Sequence, residues 1–454
     1  MLPESNNTFR KASFMNVETV IHNGILVTVN NRLDIIQKGW IGIRNSLIQA
    51  VEEGAPDLST MVPQRCIDAK GGIVMPGLVN THTHLPMTLF RGLADDLPLM
   101  TWLKDHIFPA ESRYLEPETV YWGSRMACAE MLLSGTTCCC GGYFLEEHVA
   151  RAVAETGMRA VLAQGVIDSP APGVPDPKQN ISHAANFTDK WLKRNALIQP
   201  SIFCHAPYTC SDETLKSAKS AATKRGLTLQ IHAAETRLER EQSFRENGVG
   251  PVTHLDRLGL LDSGTILAHC VWVDEREMEV IATRGCTVAH CPESNMKLGS
   301  GIAPVKAMRD RGIVLGLGTD GSASNNNLDI FGEMDMVAKI QKVVSTDPTA
   351  LCAPEVVKMA TLDGARVIGM ADRIGSLEVG KQADIIVLGT DSAHMTPLYH
   401  PESHIVYTAN GGDVRDVFVG GKQVVLNREV LAFNVQETMD RVNHIAKRIK
   451  RVTF

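Results

Sequence analysis

The residues best suited to chemistry are His82, His84, His232, His269, Glu235 and Asp320. His82 and His84 are separated by one residue in Asn80-Thr81-His82-Thr83-His84. On an extended segment residues i and i+2 share a face, so both imidazoles can bind one ion. A third imidazole from His232 and a carboxylate from Asp320 complete a nitrogen-rich site of the kind zinc takes, with room for water. Taken singly, each histidine is better read as an ordinary core or surface residue, and His-X-His alone is a weak motif. Repetition changes the balance, because His205, His232, His269, His290 and Asp320 each fall at the end of a short apolar run. A metal there lowers the pKa of bound water towards ~7 and makes hydroxide available for hydrolysis. Glu235, three residues past His232, can face the same cavity without being a ligand and relay protons to a leaving amine. Its bland alternative is a carboxylate at the positive end of a helix dipole. His269 is placed to hold the water or polarise the attacked centre, and Asp320 to take the water's proton.

Elements must bring these scattered residues together. Between residues 71 and 370 short apolar runs recur, among them Ile73-Val74-Met75, Cys138-Cys139-Cys140, Ala160-Val161-Leu162, Ile202-Phe203-Cys204 and Ile313-Val314-Leu315. Helix-length amphipathic stretches such as 118–133 and 275–284 separate them. Eight such runs predict an α/β fold, a (β/α)8 TIM-like barrel, whose strand ends all open on one C-terminal mouth. Residues 1–70 and 371–434 are β-rich and predict a small composite β-sandwich domain made by both chain ends. Residues 435–454 predict a docking helix, with Val435, Met439, Val442, Ile445 and Ile449 along one stripe.

Composition bounds the rest. A chain of 454 residues with 44% hydrophobic and 21% charged residues is ordinary for a globular protein. Its net charge of -6 argues against a nucleic-acid partner held by bulk charge. No apolar run approaches the ~20 residues of a membrane-spanning helix. The opening MLPESNNTFRKASF has no apolar core of a secretory signal, so a cytoplasmic location is expected. The 11 cysteines are then expected as free thiols. Consecutive Cys138, Cys139 and Cys140 cannot converge on one ion from a strand whose side chains alternate.

Several segments, in order, carry a family resemblance: Val74-Met75-Pro76-Gly77-Leu78-Val79-Asn80-Thr81-His82-Thr83-His84, Arg91-Gly92-Leu93-Ala94-Asp95-Asp96-Leu97, His205-Ala206-Pro207-Tyr208, His232-Ala233-Ala234-Glu235-Thr236, Ser294-Asn295-Met296-Lys297-Leu298-Gly299 and Gly318-Thr319-Asp320-Gly321. Over nearly its whole length the chain resembles the amidohydrolase superfamily, in its 5′-methylthioadenosine/S-adenosylhomocysteine deaminase and chlorohydrolase-type branch. The resemblance implies one divalent metal per subunit, zinc with Fe2+ or Mn2+ as alternatives, held by His82, His84, His232 and Asp320. It implies that Glu235 protonates the purine ring, that Glu111 grips the ribose hydroxyls, and that Trp102 and His205 line the substrate site. It also implies a homo-oligomer, a dimer or tetramer. The expected reaction is hydrolytic deamination of adenosine-type nucleosides, releasing ammonia through a zinc-bound hydroxide. The alternatives are hydrolysis of another aminated or halogenated heterocycle (a triazine, pterin or free base) and a non-catalytic ligand-binding barrel.

The strand-3 region departs from that pattern. Where arginines are expected to hold the carboxylate of S-adenosylhomocysteine, the chain has Gln164 and an arginine-free segment 169–180. A neutral amide cannot replace a bidentate guanidinium. Methylthioadenosine or adenosine is therefore expected ahead of S-adenosylhomocysteine.

Overall fold

Short runs buried on both faces become an eight-stranded parallel barrel in the computed structural model, which describes residues 16–453. Its strands are β1 (Leu78–Thr83), β2 (Thr136–Tyr143), β3 (Arg159–Val166), β4 (Ile198–Cys204), β5 (Leu229–Ala233), β6 (Thr265–His269), β7 (Thr287–His290) and β8 (Leu315–Leu317). Every residue of β1, β2, β3, β5, β6 and β8 is buried, as a sheet wrapped by helices and filled inside requires. Across the seam between β8 and β1, Asp320 N donates to His82 O at 2.9 Å, and Thr319 N donates to Asn80 Oδ1 at 3.1 Å. Closure of the barrel thus sets the first metal-ligand candidate directly against the last.

The alternation of the cysteine run is visible in the packing. Cys138 and Cys140 share one buried cluster, while Cys139 packs in the cluster that contains the helices' apolar faces. All 11 cysteines are free.

Ile73-Val74-Met75, read above as one of the barrel runs, belongs elsewhere. The strand Ile73–Pro76 pairs parallel with Thr19–Val27 and antiparallel with Ile385–Leu388. It therefore joins the N-terminal and C-terminal strands into a single nine-stranded mixed sheet. The chain passes from that sheet to the barrel at Gly77. A Cβ there would lie 2.1 Å from Thr137 Oγ1, so only glycine fits the crossing. Side chains from both chain ends, including Ile21, Ile41, Ile48, Val74, Ile385 and Phe418, meet in one cluster of the sheet. A buried ion pair ties this sheet to the barrel: Arg159, at the start of β3, donates to Asp384 Oδ2 at 2.7 Å and Oδ1 at 2.9 Å.

The helix Val435–Thr453 lies along the helix Pro117–Leu133. Ile445 and Ile449 are buried and Val442 half-buried, but Met439 is exposed and Thr438 takes the inward position. The stripe read from the sequence is thus rotated at its N-terminal end. Residues 1–14, in which no secretory signal is legible, lie outside the described residues. Among the described residues no helix is long and apolar enough to cross a membrane.

Candidate metal centre and active site

Four ligand atoms, one each from His82, His84, His232 and Asp320, lie within 4.8 Å of one another at the mouth of the barrel. His82 Nε2 is 3.0 Å from His232 Nε2 and 3.6 Å from Asp320 Oδ1; His84 Nε2 is 3.2 Å from the same oxygen. All four side chains are buried. Burial pushes His82 down to about 4 and His232 well below the ordinary imidazole value. For Asp320 burial acts the other way, yet hydrogen bonds from His82 and His84 hold its carboxyl well below the usual range. On His84 burial also opposes the charge, and the Asp320 carboxylate outweighs it, raising the pKa. Three imidazoles and an ionised carboxylate are the donor set of a tetrahedral divalent-metal site, and the four residues fit one.

Neighbouring groups fix the direction of these donors. His84 Nδ1 is 2.7 Å from Gly142 O, which leaves Nε2 pointing at the cluster. Asp320 sits in the left-handed region at φ 60°, where its Oδ1 accepts from Gly321 N at 2.8 Å. Ser294 and Ser324 donate to its Oδ2 at 2.7 and 2.9 Å. Asn295 Oδ1, next to Ser294, is 2.9 Å from His269 Nδ1. The Ser294–Asn295 pair, visible in the sequence only as part of a motif, thus orients two site residues at once.

Glu235 and His269 stand beside the cluster. Glu235 Oε2 is 3.8 Å from His269 Nε2, and Ser300 Oγ donates to Glu235 Oε1 at 3.2 Å. Burial raises the pKa of the Glu235 carboxyl. His205 follows β4, its ring 5.2 Å from that of His232 and its Nδ1 2.8 Å from Thr209 Oγ1. His290, although it ends β7, does not join the four: it is buried without a hydrogen-bond partner on either ring nitrogen, and burial lowers it to about 3.

The cluster opens into a cavity with a mostly apolar and aromatic wall. Glu235, His269, His205, Trp102 and Glu111 all line it, with Leu99, Leu103, Phe108, Phe144, Tyr208 and Leu298. Trp102 also packs into the main core, so its two roles coexist. Glu111 is buried, with Tyr143 donating to its carboxyl, and burial raises it to about 7. The Tyr143 ring also lies 5.8 Å from that of His84. Tyr208 and Phe108 had no signal of their own, since an aromatic residue in a loop reads equally as packing.

Gln164 does not face this cavity. Its Oε1 accepts from Glu146 N at 3.1 Å, and its side chain borders a separate hollow beside His183 and Lys190. In β3 it pairs with Ile202, one position from the inward Phe203, and alternation turns it to the outer face.

A parallel barrel with such a donor cluster at its mouth defines a class, the metal-dependent hydrolases. Residues 73–424 match the model of the amidohydrolase family, and the chain belongs to that family. It is 43% identical over 435 residues to the 5-methylthioadenosine/S-adenosylhomocysteine deaminase 1 of Syntrophus aciditrophicus, covering 96% of this chain and 98% of that one. A 5'-deoxyadenosine deaminase of Methanopyrus kandleri is 44% identical over 83% of this chain and 86% of its own. Among solved structures, an adenosine deaminase from Xanthomonas campestris with bound zinc superposes with a TM-score of 0.94 at 37% identity, covering 96% of this chain and 99% of that one.

Proposed function

We infer that the protein is a metal-dependent hydrolytic deaminase of adenosine-type nucleosides. The observation that carries this reading is one cavity holding three things: the His82–His84–His232–Asp320 cluster, the buried acid Glu235 beside it, and a second buried carboxyl, Glu111, set in an aromatic wall. The relatives named as adenosine-type deaminases, and the zinc of the Xanthomonas campestris enzyme, support it. A zinc ion held by the four donors acts as a Lewis acid and lowers the pKa of water.

The chain's own groups supply the rest. Trp102, Phe108 and Phe144 offer the cavity's aromatic surface to a planar base, and Glu111 accepts hydrogen bonds from ribose hydroxyls. Glu235, whose carboxyl burial holds above the ordinary carboxylate range, is the group placed to donate a proton to the ring nitrogen next to the amino-bearing carbon. Asp320 takes the proton of the attacking water and returns it to the departing amine, while His269, fixed by Asn295, steadies the oxygen. As the carbonyl forms, the second proton of that water passes to Glu235 and restores its acid form, so one water is consumed and one ammonia released. Among the described residues, the cavity wall carries carboxylates but no lysine or arginine, which favours neutral 5′-substituents such as methylthio over phosphate or an amino acid.

The test is an ammonia-release screen on metal-analysed protein with adenosine, methylthioadenosine, free purines, pterins and aminotriazines. Release from the nucleosides is expected. Release confined to free bases or triazines would overturn the reading.

A further inference from the structure

Helix Arg237–Asn247 begins Thr236-x-x-Glu239, the sequence of a capping box, in which the glutamate ordinarily returns to the N–H of the capping residue. Half of the box is present, since Thr236 Oγ1 accepts from Glu239 N at 3.1 Å. The Glu239 carboxylate, however, reaches beyond the helix. Its Oε1 accepts from Ala234 N at 2.9 Å and its Oε2 from Glu235 N at 2.8 Å. Glu239 is buried, so water cannot replace either bond.

The segment held this way is strained. Ala234 lies in the left-handed region at φ 54°, which a residue with a Cβ adopts only when its surroundings impose it. The opposite side of the turn is pinned by the exit of β6: Cys270 N donates to Ala233 O at 3.1 Å and Trp272 N to Ala234 O at 2.8 Å. Trp272 Nε1 in turn donates to the carbonyl of Ser300, whose hydroxyl meets Glu235. Glu239 thus closes a frame around a turn that has His232 on one side and Glu235 on the other.

We propose that Glu239 is a positioning residue for the deamination, acting through the Ala234–Glu235 backbone to hold the Glu235 carboxyl against Ser300 and His269. A helix cap alone would bond the helix's own first amides; this carboxylate instead bonds the amide of the residue assigned as the acid. The proposal rests on the reading of Glu235 as proton carrier.

The experiment compares Glu239→Ala, Glu239→Gln, Glu235→Gln and the double variant Glu235→Gln/Glu239→Ala, each loaded with zinc. Zinc per chain and thermal melting are measured beside kcat and KM. For Glu239→Ala, kcat per zinc-loaded chain falls ~100-fold, as expected for a displacement of about an ångström, with zinc retained and KM within about threefold. Glu239→Gln keeps one acceptor oxygen and loses less, about tenfold. In the Glu235→Gln background the Glu239→Ala change adds no more than about threefold, because both act on one group. An unchanged kcat per loaded chain with only a lower Tm overturns the proposal, and so does a full ~100-fold loss that persists without the Glu235 carboxyl. Should Glu239→Ala fail to fold, full kcat in Glu239→Gln overturns it equally. If Glu235→Gln itself turns over normally, the assignment of Glu235 falls and this proposal with it; a dead Glu235→Gln beside a fully active Glu239→Ala sinks this proposal alone.

Discussion

At the scale of single residues, the donors of the cluster are graded by what supports them. His84→Ala removes a ligand outright, so bound zinc and turnover should be lost together; a metal-free variant that still turned over would refute the assignment. Ser294→Ala removes one of the two hydroxyls on Asp320 Oδ2 and should weaken zinc affinity by about tenfold, measured by competition with a chelator. Glu111 gives a pH signature. Burial raises its carboxyl to about 7, with the hydrogen bond from Tyr143 pulling the other way. Its ionised form accepts two hydroxyls, whereas its protonated form spends an oxygen on a proton. KM for the nucleoside should therefore fall as pH rises through about 7, and Glu111→Gln should flatten that profile. Tyr143→Phe removes a group that lowers the pKa and should move the midpoint upward. A midpoint unmoved in Tyr143→Phe would show that the Tyr143 bond does not tune Glu111.

At the scale of elements, the barrel and the end sheet are joined at two places of different chemistry. Gly77 is a steric crossing, where any side chain meets Thr137. Arg159–Asp384 is an electrostatic one, buried on both sides and completed by Gly420 N on Asp384 Oδ1 at 2.7 Å. Removing one charge from a buried pair leaves the other unmatched, which costs about 3–5 kcal/mol. Asp384→Asn should accordingly lower the melting temperature markedly while zinc content at room temperature and KM stay near normal. Loss of zinc in folded Asp384→Asn would mean that the end sheet shapes the site itself. The element-level picture was partly legible beforehand. Strand runs and amphipathic stretches are local periodicities, and they located the barrel. Ile73-Val74-Met75 misled because an apolar run of three residues has the same pattern in either sheet, and only pairing partners assign it.

At the scale of the whole molecule, the cavity wall decides which nucleosides fit. Its acidic groups are Glu111, Glu235 and Asp320, and among the described residues no lysine or arginine lines it. A substrate tail ending in a carboxylate would meet like charge there. We expect kcat/KM for methylthioadenosine to exceed that for S-adenosylhomocysteine by at least ~10-fold, equivalent to ~1.4 kcal/mol. Equal values would place a cation within reach of the tail in the working enzyme. The same preference was expected from Gln164, but for a different reason, since that amide lies on the outer face of β3.

Sequence alone carried the donor types, the i, i+2 spacing of His82 and His84, and the recurrence of histidines at strand ends, because each is local or periodic information. Those features sufficed for a barrel, a metal and hydrolysis. Tertiary structure alone decided the remainder: that His290, at the end of β7, is buried without a hydrogen-bond partner, that Tyr143 binds Glu111, that Gln164 turns away, and that Glu239 grips the turn at Glu235. These depend on which face of a strand a side chain takes at its last residue and on backbone turns of positive φ. Such turns are set by contacts between segments far apart in the chain, which no local pattern records.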